Sequence, residues 1–230
     1  MKTVVFALYA EGRTDERFLP IIIRRTVQNI LIRHGELPVN VAEPTVLKLK
    51  KSKPSARAEC ILKAAEQASG YHALIVHADA DDRMADRAMK ERIQPGFDLV
   101  LKQKDKNKVC RQLAPIIPIR MTEAWMLTDI KALQDVIGTD LDARKMGVPE
   151  KSKAVESLSD PKQTLQEAVR NALANRPRRR GRISLASLYE PLAEQIRLAC
   201  LESVSAYGQF TADLTNMLTA LHLVKVKDSL

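Results

Sequence analysis

Apolar residues come first in a short unbroken run, Thr3 to Tyr9 (TVVFALY), rich in β-branched and aromatic side chains. A run that is apolar at both parities predicts a strand buried on both faces, as in a parallel sheet. Gly12 and Thr14 then mark a turn, and Phe18, Ile22, Val27, Ile30 and Leu31 recur at helical spacing from Asp15 to about Arg33. Asp15 and Glu16 fall in the first turn, where the helix dipole favours negative charge, and Gly35 closes the helix. Val39 to Leu49 reads as a second strand, with Pro44 marking an edge position or an irregular entry. A basic exit follows (Lys48, Lys50, Lys51, Lys53), then a helix from Ser55 to Ala68 ended by Gly70.

His72 to Ala78 (HALIVHA) is a third buried run, and it leads directly into Asp79, Asp81 and Asp82. A charged helical region extends to about Lys108, interrupted at Pro95-Gly96. Ala114 to Arg120 gives a fourth strand, and a helix runs from Thr122 through Trp125, Leu127, Leu133 and Val136. Strands alternating with helices predict an α/β fold with a mainly parallel sheet of about four strands, flanked by helices, over residues 1–138. After Gly138 only helical patterns remain, at Pro161–Leu173 and Leu185–Leu221. They predict a C-terminal helical extension, residues 139–230, packed on the sheet domain.

Composition narrows the setting. Of 230 residues, 45% are hydrophobic and 28% charged, which excludes wholesale disorder. Lys and Arg number 37 against 28 acids, a net charge of +9, so a polyanion such as nucleic acid is an expected partner. Five arginines, Arg176, Arg178, Arg179, Arg180 and Arg182, crowd one stretch with no apolar residue to bury, which suits repeated phosphate contacts or a solvated loop. Arg83 lies beside the aspartates and is a candidate to balance them or hold a phosphate. Cys60, Cys110 and Cys200 are too few and too scattered for a disulfide scaffold or zinc site, which points to the cytoplasm. Glu11 and Arg13 break the N-terminal apolar run before it could act as a signal peptide, and no membrane span is expected.

The acids carry the candidate chemistry. Glu11 and Asp15 follow the first strand, Asp79, Asp81 and Asp82 the third, and Glu123 the fourth. In an open parallel sheet, ligands bind beyond the carboxyl ends of the strands, so all three groups are expected at one edge. Crowded carboxylates raise one another's pKa, and a divalent cation relieves the conflict. Mg²⁺ needs only two or three of them, with Mn²⁺ as a substitute, and in that position it can orient phosphate oxygens and activate water. Taken singly these residues have plainer readings: Asp79–Asp82 as helix caps, Asp15 and Glu123 as first-turn charges. His77 reads as a packed strand residue, and Trp125 as core.

YAEGRTDERFL after the first strand and HADADD after the third resemble the topoisomerase–primase (TOPRIM) signature, a glutamate-glycine turn followed by D-x-D. The Glu11–Asp15 spacing and Glu123 in RMTEAWML resemble nucleases of the overcoming-lysogenization-defect type. The chain is also similar to a bacterial TOPRIM-like family of unknown function found in defence loci. The resemblance implies Glu11, Asp79 and Asp81 as catalytic metal ligands, with Asp15, Glu123 and Asp82 nearby. It implies an Mg²⁺-dependent nuclease acting on DNA or RNA, and a partner ATPase in trans, since no Walker A pattern is present. Met121 departs from the small polar residue expected before Glu123. Lys151 and Lys153 stand where a catalytic lysine would fall in chain order. The rival reading is a non-catalytic regulatory subunit that binds protein or nucleic acid. A phosphotransfer receiver places an aspartate where this chain has Glu11.

Overall fold

The computed structural model describes residues 2–49, 56–81, 84–174 and 183–225. Asp82, Arg83, Lys50, Lys51, Lys53 and the arginines of 176–182 lie outside the described residues. The first apolar run forms two strands, β1 (Lys2–Val4) and β2 (Phe6–Tyr9), split at Val5. The Val5 N–H there donates to His72 Nδ1 at 3.2 Å, while its carbonyl accepts from the His72 amide. Helix α1 covers Asp15–His34. The second predicted strand is likewise divided, into β3 (Val39–Val41) and β4 (Thr45–Val46). Pro44, which has no N–H to donate, lies in the gap.

Helix α2 (Arg57–Gln67) leads to β5 (Ala73–His77). The charged region that follows is continuous helix: α3 (Ala85–Ala88), a π-helical turn (Met89–Ile93) and α4 (Gln94–Leu101). Pro95 does not interrupt it; it lies just after the π-helical turn, at the start of the α4 stretch. Strand β6 (Leu113–Ile116) completes the sheet.

The named strands pair in parallel, β4-β2-β5-β6 in one sheet and β1 with β3 in a second, and a single antiparallel bridge joins Gly35 to Val224. Leu8 lies opposite Ile75, and Ile75 opposite Ala114. The ladder outlasts the strands. Ala80 N–H donates to Pro118 O at 3.0 Å and Asp81 N–H to Arg120 O at 3.3 Å, so the acidic loop after β5 stays tied to the segment after β6.

Strand periodicity sorts the core into two layers. Ala7, Leu74 and Val76 pack with Ile61, Ala64, Phe97 and Val100 of α2 and α4. Phe6, Leu8, Ile75 and Ile116 face α1 and the helices that follow the sheet. Those are α5 (Glu123–Met126), α6 (Ile130–Ile137), α7 (Ala143–Met146), α8 (Pro161–Leu173), α9 (Tyr189–Gln195), α10 (Leu198–Leu201) and α11 (Ser205–Ala220). The single helix expected from Thr122 to Val136 is two, because Asp129 caps α6 through its side chain. Helix α9 packs on α1 and α11 on β6, so one apolar cluster runs from Val4 to Val224. Trp125 is fully buried in it, edge-on to Tyr207 with ring centroids 5.5 Å apart. Each such side chain contributes about 1.5–3 kcal/mol by leaving water. No helix among the described residues is long and apolar enough to cross a membrane.

Candidate metal and phosphate site

The carboxyl ends of β2 and β5 bring the predicted acids together in two layers. The inner layer is built on His77, the last residue of β5, which is completely buried. Strand periodicity aims it at the same face as Ile75, toward α1. Its Nδ1 accepts from the Glu11 N–H at 3.4 Å and lies 3.7 Å from Asp15 Oδ2. Its Nε2 lies 3.3 Å from both Asp79 Oδ1 and Thr122 Oγ1. The neutral ring with its proton on Nε2 satisfies the contacts to the Glu11 amide and to Asp79. Burial alone would lower the His77 pKa. The Asp79 contact and the charges of Asp15, Asp79 and Glu11 outweigh it and shift the group upward.

Asp15 is only 4% exposed. Its Oδ2 accepts from the Gly12 N–H at 3.0 Å, and a Cβ on Gly12 would meet that oxygen at 2.8 Å. The glycine of the Glu11-Gly12 turn is therefore what lets the carboxylate close on the backbone. Burial raises the Asp15 pKa, the charge of Asp79 adds to the rise, and His77 opposes it. Asp79 Oδ1 also accepts from the Thr122 N–H at 3.1 Å, which joins the loop after β5 to the start of α5. Single ligand atoms of Asp15, His77 and Asp79 all lie within 4.8 Å of one another.

Glu123, also buried, lies beside this group but outside the three-residue cluster. Its Oε1 accepts from the Tyr189 hydroxyl of α9 at 2.8 Å. Burial raises its pKa, and the Tyr189 bond counters part of that. The tyrosine is itself raised by burial and by the neighbouring Glu123 charge. The turn at Ser152–Ser157, which carries Lys153, packs against α5.

The outer layer contains Glu11 and Asp81, and here arginines supply the countercharge. Glu11 Oε2 accepts from the Asp79 N–H at 3.3 Å, so the glutamate points toward the aspartate tract. Arg92, in the π-helical turn, engages Glu11 Oε1 through Nη2. Its Nη1 donates to Asp81 Oδ2 and to the Asp79 carbonyl, both at 2.6 Å. Asp81 has φ of 56°, a left-handed conformation that aspartate tolerates better than most residues. Its carboxylate is 76% exposed.

Arg57 buttresses the arrangement from α2. It donates to the His77 carbonyl at 2.5 Å and to the Arg92 carbonyl at 3.1 Å, lies 3.8 Å from Glu11 Oε2, and sits 5.9 Å over the Tyr9 ring. A pocket of about 280 Å³ opens beside Arg92, lined by Ala80, Asp81, Arg87, Ala88, Glu91 and Arg92.

Glu11, Asp15, Asp79 and Asp81 thus meet at one edge, with Glu123 at the inner flank. The sequence reading of His77 as a packed residue understates it, since the ring links Glu11, Asp15, Asp79 and Thr122. The H-x-D spacing of His77 and Asp79 at the strand end was the available signal. Arg57 and Arg92 were missed, because charges on a helical segment ordinarily face water.

The family model described as a domain of unknown function (DUF4276) matches residues 10–211, and the chain belongs to that family. No curated protein and no solved structure matches the chain.

Proposed function

We propose that this DUF4276 protein is a divalent-cation-dependent nuclease of TOPRIM-like type that hydrolyses phosphodiester bonds in DNA or RNA. One observation carries the reading: Asp15, His77 and Asp79, from two separate segments, offer ligand atoms within 4.8 Å, with Glu11 hydrogen-bonded to the Asp79 amide. The donor set fits a divalent cation. Asp15 is a buried carboxylate that has no guanidinium or ammonium partner among its described contacts, and burial disfavours its charge. Carboxylate oxygens suit Mg²⁺ and Mn²⁺, and the imidazole nitrogen tilts the preference toward Mn²⁺. Asp15, Asp79 and His77 would hold the ion from the inner side, with Glu11 and Asp81 joining them from the solvent side; Glu123 and Asp82 remain candidates for a second position.

A bound ion at this edge would polarise a phosphoryl oxygen and make a water more acidic. The chain's own groups do the rest. Thr122 fixes Asp79 Oδ1 through its backbone N–H, and Arg57 keeps the backbone at His77 and Arg92 in place. Arg92 and Arg87 border the pocket where a phosphate would lie. The net charge of +9 favours a polyanionic substrate, and Arg83 and Arg176–Arg182 are proposed to grip its backbone. An ATPase partner in trans, a cytoplasmic setting and a defence role complete the proposal.

The test is cleavage of plasmid, single-stranded DNA and tRNA with Mg²⁺ or Mn²⁺, alongside calorimetric metal binding. Metal-dependent cleavage lost in Asp79→Ala supports the reading, and absence of metal binding sinks it. The rival, a non-catalytic regulatory subunit, is favoured by one observation: Arg92 already satisfies Glu11 and Asp81 without any ion. Nucleic-acid binding with no cleavage under any of these conditions would select it.

A further inference from the structure

The contacts of Arg92 with the outer acids are what the proposed chemistry leaves unexplained. The guanidinium spans three acceptors from two separate loops: Glu11 after β2, and the Asp81 carboxylate and Asp79 carbonyl after β5. It therefore occupies the outer acids as a cation would. Its side chain is 23% exposed, whereas the Asp81 carboxylate it holds is largely open to solvent. Its backbone is fixed independently, because Arg57 Nε donates to the Arg92 carbonyl. The π-helical turn that carries it is a wound segment of the kind that recurs at functional sites. The same side chain lines the pocket of about 280 Å³, which has room for a phosphate group.

We infer that Arg92 is an exchangeable positioning residue: it rests on Glu11 and Asp81 until a divalent cation takes those carboxylates, and then turns into the adjacent pocket to hold the substrate phosphate. The inference rests on the metal-site reading above. A guanidinium and a divalent cation compete for the same oxygens, so the resting contact weakens cation binding. The released guanidinium can pair a phosphate oxygen in a two-pronged contact, which compensates once substrate is present. Cation and phosphodiester binding are then positively coupled, and the coupling is reciprocal. Nothing covalent is involved.

Two affinities on the full-length chain test this. Mn²⁺ binding is measured by calorimetry on wild type, Arg92→Gln and Arg92→Lys. Binding of a cleavage-resistant phosphorothioate oligonucleotide is measured by fluorescence anisotropy, with and without Mn²⁺. Arg92→Gln should bind Mn²⁺ roughly tenfold more tightly than wild type, a coupling of ordinary size. It should bind the oligonucleotide several-fold more weakly, and Mn²⁺ should no longer strengthen that binding. Arg92→Lys, which keeps the charge and loses the fork, should fall between. A purely structural role would instead weaken both affinities in Arg92→Gln. That result, or an unchanged Mn²⁺ affinity, overturns the exchange while the metal-site reading stands. If no variant and no wild type binds Mn²⁺, the site reading fails and takes the exchange with it. Thermal melting of each variant confirms that the comparison is between folded proteins.

Discussion

Two buried aspartates, Asp15 and Asp129, are 4% and 1% exposed, and each lies at a helix start, yet burial leaves them in opposite electrostatic states. At the α6–α10 corner, Asp129 accepts from Arg197 through Nε at 2.8 Å, Nη2 at 2.8 Å and the backbone N–H at 3.0 Å, and it also caps α6. Burial works to raise its pKa, but the Arg197 bonds and the amide donors prevail and hold it at about 2. At the sheet edge, Asp15 has the Gly12 amide, the Thr122 side chain and a histidine ring beside it but no guanidinium, and burial carries its pKa up. The fold places a guanidinium on a buried carboxylate where the purpose is to tie two segments together. At the edge it sets Arg57 and Arg92 against the outer acids and leaves the inner ones short of positive charge. That deficit is the physical basis for proposing a cation there.

The largest test of this contrast is Asp79→Ala, which removes a carboxylate that contacts His77 and the Thr122 amide and belongs to the cation cluster. Cleavage rate with Mn²⁺ should fall by about a hundredfold or more, the scale of losing one fixed electrostatic group. A variant within a few-fold of wild type would remove the inner layer from the chemistry. Next comes Asp129→Ala, expected to cost about 2–3 kcal/mol in urea unfolding, since it loses a cap and the bonds that a largely exposed Arg197 makes to a buried carboxylate.

Asp129 also predicts a pH signature. Its folded pKa lies below the unfolded value, so its contribution is complete above about pH 5 and is lost as pH falls toward 2. Wild type should lose about 2 kcal/mol more than Asp129→Ala across that window. Equal acid sensitivity would mean the pair does not hold the charge as described. Tyr189→Phe should cost about 1–2 kcal/mol by stranding the buried Glu123 oxygen, read from the same unfolding curves. The smallest effect has the opposite sign. Asp15→Asn keeps an acceptor for Gly12 but removes an uncompensated charge, so the metal-free protein should gain about 1 kcal/mol while Mn²⁺ binding weakens. If the metal-free protein loses stability instead, Asp15 resembles Asp129 more than the contrast allows.

Much of this was legible before any coordinates. The parallel strands followed from runs apolar at both parities, and their order along the chain put Glu11, Asp79 and Asp81 at one edge. The splits at Val5 and Ala42–Pro44 were not legible in full, because a strand's interruption depends on which neighbour takes its amide, here His72. His77 hid among aliphatic residues because burial and chemical use look alike in a one-dimensional pattern. Arg92 hid for another reason. Its role depends on a helical turn wound with an extra residue, and that winding redirects a side chain no periodicity of 3.6 would aim at the acids. Asp82, Arg83 and the arginines of 176–182 fall outside the described residues, so their expected roles rest on sequence alone.

Tyr189 stands 66 residues beyond the acid it binds, on a helix that also lies against α1. The tail is therefore a wall of the acidic cluster as well as a cover for the sheet. Trimming the protein at Gly138 would uncover Trp125, which packs on Tyr207 and Phe210, and strip the hydroxyl from Glu123 in one stroke. Anyone engineering this scaffold should lengthen or decorate it at exposed loops and keep both halves.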